Sequence, residues 1–140
     1  MQFRAIQATL AGVAILAMAS AGQTESADPS PAAGAAATWL GMLDHGRWVQ
    51  SWAASGALFH RQSTAQQWGV MAGAVRSPLG ATLSRKLTSE RKTDHLPGAP
   101  DGDYAVLHFA TRFAHKAAAV ETVVLAREAG AWKVDGYFIQ

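Results

Sequence analysis

Three side chains with usable chemistry recur along one short stretch, "DYAVLHFATRFA", at Tyr104, His108 and Arg112. In an extended strand these alternate-face positions point the same way, separated by Val106 and Ala110. A phenol, an imidazole and a guanidinium on a partly apolar wall could orient an anionic or carbonyl-bearing ligand. Glu121, on the following strand, joins them if the register turns it to the same face. A simpler reading needs no ligand. Leu107, Phe109 and Phe113 occupy the opposite face, and that alternation is what a half-buried antiparallel strand shows. A solvent-facing surface, or one that faces a second copy in an isologous dimer, would carry the same pattern.

Other chemistries find no foothold in the sequence. The five histidines, at 45, 60, 95, 108 and 115, include no i, i+4 pair and no His-Glu-x-x-His run. Asp44-His45 and Asp94-His95 are adjacent, and adjacent side chains diverge in regular structure. There is no nucleophile elbow, phosphate-cradling glycine loop or dinucleotide fingerprint. With no cysteine, disulfides and thiolate chemistry are excluded. No catalytic residue, metal ligand or cofactor is assigned on these grounds. The segment "DHLPGAPDGDY" holds Asp94, Asp101 and Asp103 but lacks the regular spacing and terminal glutamate of calcium loops. Turn chemistry accounts for it better: residues 96–99 fit a type II turn and 99–102 a type I turn.

The elements that must position these residues follow from periodicity. "AAATWLGMLDHG" reads as a helix that Gly46 ends. "RWVQSWAASGALFH" reads as a second, with Trp48, Trp52, Ser55 and Phe59 on one face. "STAQQWGVMAGAVRSPLG" reads as a third, opened by a Ser63/Gln66 capping box, striped by Trp68, Ala72 and Val75, and stopped by Pro78. From Gly80 the period turns to alternation. "ATLSRKLTSERKT" sets Leu83 and Leu87 on one face with Arg85 between them, and three further strands follow. Short connections near residues 117 and 130 join antiparallel neighbours. The expected fold is α+β: three N-terminal helices packed on one face of a curved four-stranded antiparallel meander. Four helical tryptophans and Trp132 are expected to fill the space between the layers.

Composition and the chain start place this domain. The 140 residues are 49% hydrophobic and 16% charged, which suits one globular domain. Residues 1–21 carry Arg4, an apolar run of fifteen residues and then "ASA", the pattern of a secretory signal cleaved after Ala21. That run contains Gln7 and Thr9 and is shorter than the ~20 apolar residues of a spanning helix. The expected location is periplasmic or secreted, with no membrane span after cleavage. Residues 22–37 read as a low-complexity linker and 38–140 as the folded domain. Removing Arg4 from the twelve Lys and Arg leaves eleven against ten Asp and Glu, which is no nucleic-acid footprint. The cluster of Arg85, Lys86, Arg91 and Lys92, interrupted by Glu90, reads as a solvated strand edge.

Four blocks in order, "WLGMLDHGRWVQSW", "QWGVMAGAVRSPLGATLSRKL", "LPGAPDGDYAVLHFATRFAHKAAAVETV" and "WKVDGYFI", resemble an exported bacterial family known as domain of unknown function 4019. The resemblance runs from about Trp39 to Ile139, and His45 and Arg47 depart from its pattern of small or acidic residues. It implies export and a compact α+β domain, and it brings no catalytic residues. The order of helices then strands is also similar to a reduced nuclear transport factor-like cone, a fold that hosts both enzymes and plain binding modules. Two functions are therefore expected. One is non-catalytic binding of a small molecule or an envelope protein through the sheet face. The alternative is a small cone-type isomerase, lyase or hydrolase that uses Tyr104, His108 and Arg112.

Overall fold

The computed structural model describes residues 28–140, so the leader read at 1–21 lies outside the described residues. Four α-helices precede four strands: α1 (Pro31–Asp44), α2 (Trp48–Ala53), α3 (Ala57–Gln62), α4 (Ala65–Arg76), then β1 (Thr82–Thr93), β2 (Tyr104–Phe113), β3 (Lys116–Glu128) and β4 (Ala131–Ile139). A 3-10 turn, Ser77–Leu79, joins α4 to β1. The strands form one antiparallel sheet in the order β1-β2-β3-β4, the expected meander.

Helix α1 begins at Pro31, inside the stretch read as linker. The Ser30 hydroxyl accepts from the Ala33 N–H, and Pro31 loses nothing at a position whose N–H has no helical partner. Ala32, Ala33 and Ala36 are buried, so the alanine run is part of the packed layer.

The helix expected over residues 47–60 is two helices, which makes four in place of three. The break falls at Gly56, whose backbone is extended and whose N–H donates to Val134 O at 2.8 Å. A side chain there would displace both carboxylates: a Cβ on Gly56 would lie 2.3 Å from Glu128 Oε2 and 2.4 Å from Asp135 Oδ1. Those carboxylates receive the first N–H groups of α3, Glu128 from Ala57 and Asp135 from Phe59. The capping box of α4 is one residue later than expected. Thr64 accepts from the Gln67 N–H, and the Gln67 side chain accepts from the Thr64 N–H.

The core lies between the helices and one sheet face. Trp39, Leu40, Leu43, Phe59 and Trp68 meet Leu107, Phe109, Val123, Leu125 and Val134 there. The ring centroids of Trp39 and Tyr137 are 5.3 Å apart, and those of Phe59 and Trp68 4.8 Å, both edge-on. Buried indoles need acceptors, and Ser51 on α2 and Ser55 just beyond it supply them. Trp39 Nε1 donates to Ser51 O and Ser55 Oγ, and Trp68 Nε1 to Ser51 Oγ. Trp48, Trp52 and Trp132 are only partly buried around this centre.

In the loop, Ala99 N donates to Leu96 O and Gly98 has φ +78°, as the type II turn requires. The second turn differs from expectation. Gly102 N reaches back to Asp94 O at 3.0 Å, which closes the whole loop on itself.

Candidate functional site

Strand register decides what the four candidate residues can do together. Residues directly opposite on paired strands share a face. Glu121 stands opposite Phe109, on the helix-covered face, whereas His108 stands opposite Thr122, on the uncovered one. Glu121 therefore does not join Tyr104, His108 and Arg112. Tyr104 is buried, and its hydroxyl donates to Pro100 O, so it holds the loop. His108 is half-buried, with Nδ1 2.9 Å from Ser89 Oγ across the strand pair, and Arg112 is exposed. Only His108 and Arg112 remain open to a partner, on an outer surface and not in a cavity. Of the aspartates in the loop, Asp101 Oδ1 lies 2.9 Å from His95 Nδ1.

The structure places Glu121 instead in a buried polar network that local sequence reading missed. Glu121 is wholly buried and accepts from Arg85 Nε at 2.7 Å, from Thr111 Oγ1 at 2.5 Å and from the Tyr137 hydroxyl. The Arg85 guanidinium also grips Asp44 with both terminal nitrogens, at 2.7 and 2.9 Å, the paired geometry that suits carboxylates. Asp44 Oδ1 takes further bonds from Arg76 Nη2 at 2.6 Å and Thr82 Oγ1 at 2.8 Å. Arg76 lies over the Phe113 ring, 4.9 Å from its centroid.

The network shifts its own titrations. Burial works to raise the Asp44 carboxyl, but hydrogen bonds from Arg85, Arg76 and Thr82 prevail and bring it down to about 2. Burial works to lower the Arg85 guanidinium, and its bonds to Asp44 and Glu121 raise it. Burial raises Tyr137, with the Glu121 charge acting the same way, so the phenol stays protonated. Asp135, at the start of α3, is raised by burial against the pull of the Phe59 N–H, with the Glu128 charge adding to the rise.

Two arginines and two carboxylates balance in charge, and the Glu121 oxygens are engaged by three donors. Burial and these donors leave Glu121 no open side for a substrate, and a phenol held protonated is no base. The arrangement locks α1, α4 and the sheet together. Sequence carried a faint signal: Arg76 continues the Trp68–Ala72 stripe, and Glu121 alternates with Ala119 and Val123 on the core face.

Among the described residues, no group of three metal-ligating side chains comes together, and no helix is long and apolar enough to cross a membrane. The described residues thus form an α+β domain with one helical layer on an open antiparallel sheet and a charge-balanced, largely buried network between them. The chain belongs to the family described as "Protein of unknown function (DUF4019)", whose profile matches residues 35–137. No curated protein matches the sequence.

Proposed function

We propose that the chain is an exported, non-catalytic binding domain whose uncovered sheet face docks an acidic protein partner. One observation carries this reading: the uncovered face joins exposed apolar side chains to unopposed positive charge. Phe138 is 60% exposed and Val120 42%, beside the half-buried Val106 and Val124. Lys86 stands opposite Ala110 and Arg91 opposite Val106, so both share this face with His108 and Arg112. The one strand carboxylate in its register, Glu128 at the end of β3, turns to the start of α3, where the Ala57 N–H donates to it. An apolar strip with a basic flank suits a partner that brings an apolar strip with an acidic flank. A second copy of the chain would bring like charges, which weighs against a dimer through this face. Export rests on the leader pattern of residues 1–21.

The enzyme alternative draws less support. Of its three residues, Tyr104 is buried with its hydroxyl committed to Pro100 O, His108 and Arg112 lie on an open surface, and the space a cone would leave hollow holds Trp39, Phe59, Trp68 and Tyr137. A carbodiimide, which links amines to carboxylates, tests the binding reading in intact cells. A discrete adduct is expected in the exported fraction, lost when Lys86→Glu and Arg112→Glu are combined. An adduct that survives this reversal, or a chain retained in the cytoplasm, overturns the proposal.

A further inference from the structure

On the other side of the molecule, α4 stands off the sheet because it packs chiefly on α2. The gap beside β4 is a pocket of about 170 Å³, walled by Trp68, Met71, Val75 and Ile139, with Arg76 and Tyr137 also on its lining. Its size suits a ligand of roughly six to eight non-hydrogen atoms, since an apolar cavity of ~150 Å³ takes benzene.

Arg76 has more donors than acceptors. Its Nη2 is well bonded, but Nη1 reaches only Tyr137 Oη at 3.4 Å and Glu121 Oε2 at 3.8 Å. Its buried Nε has no acceptor among the described residues. A guanidinium in this state favours a further oxygen acceptor. The charge balance decides which kind. Asp44 and Glu121 already neutralise Arg76 and Arg85, so a carboxylate ligand would add an excess negative charge beside two others. A neutral carbonyl supplies lone pairs without charge.

The geometry points to this pocket as a binding site for a small, uncharged carbonyl compound with a cyclic or branched apolar body. The body lies against Trp68, Val75 and Ile139, and the carbonyl oxygen accepts from Arg76 Nη1. No chemistry on the ligand follows, because Glu121 is enclosed and Tyr137 stays protonated. The site is independent of the sheet-face reading, and each can fail without the other.

The test is a titration of the folded chain with cyclohexanone, followed through the tryptophan indole resonances. A saturable shift at Trp68 is expected, with cyclohexanecarboxylate binding at least tenfold more weakly. Val75 is half exposed, so Val75→Trp closes the mouth with little demand on folding. That variant should lose the Trp68 shift, keep the Trp39 resonance in place and leave cross-linking at the sheet face unchanged. No saturable shift, equal binding of the carboxylate, or an undiminished response in Val75→Trp overturns the site.

Discussion

Glu121 is the residue on which the interior turns, because three donors from three strands converge on it. Glu121→Gln removes the charge that balances one arginine and leaves donors without their acceptor. It should cost about 3–5 kcal/mol in urea unfolding, whereas Thr111→Val, which loses one hydrogen bond, should cost about 1 kcal/mol. Acid adds a second test. The Asp44 carboxyl lies lower in the folded state than its ordinary 3.8, so its contribution is full above 3.8 and is lost as pH falls through about 2. Asp135 has the opposite sign. Its folded value is raised, so folding favours the protonated form, and stability rises as pH falls toward 3.8. Asp135→Asn should remove that rise, and Asp44→Asn the fall below it, in unfolding curves taken across the acid range. The sequence showed Arg85 and Glu121 individually but not the network. Its links join residues far apart in the chain, such as Asp44 to Arg85, and side-chain type alone does not choose among distant partners. The faces of β2 were legible because alternation is local: Leu107, Phe109 and Phe113 are buried as their spacing implies.

At the scale of elements, the largest departure from the expected order is the break at Gly56. Trp48, Trp52, Ser55 and Phe59 keep a helical stripe across it, so periodicity runs on where the chain does not. What ends α2 is a strand near the C-terminus, whose Val134 carbonyl and Asp135 carboxylate require a close backbone approach. Gly56→Ala should therefore destabilise by about 1–3 kcal/mol through crowding. Gly41→Ala, in the middle of α1 with nothing within 4 Å of the new Cβ, should stabilise by about 1 kcal/mol. The cap of α4 gives a matched pair. Thr64→Ala should cost about 1 kcal/mol, and Ser63→Ala, one residue outside the box, should stay within about 0.5 kcal/mol. Thermal unfolding monitored by circular dichroism separates all four. The sequence located that cap to within one residue because Ser63/Gln66 and Thr64/Gln67 satisfy the same spacing. Only the backbone that enters the helix selects between them.

For the whole molecule, the layering gives the two sides of the sheet different surroundings. The covered side is filled with aromatic rings and a balanced charge network, which fixes the fold and leaves little freedom for chemistry. The uncovered side keeps Phe138, Val120 and a row of basic residues in solvent, with His108 half-buried among them. The central claim is that this uncovered side is where the protein works. A photo-reactive amino acid placed singly along the chain in intact cells tests it most directly. At Phe138 it should give a discrete adduct, diminished when Lys86, Arg91 and Arg112 are changed to Glu. At Val49, equally exposed but on α2, it should give none. Adducts of the same kind from both positions, or from Val49 alone, would contradict the account.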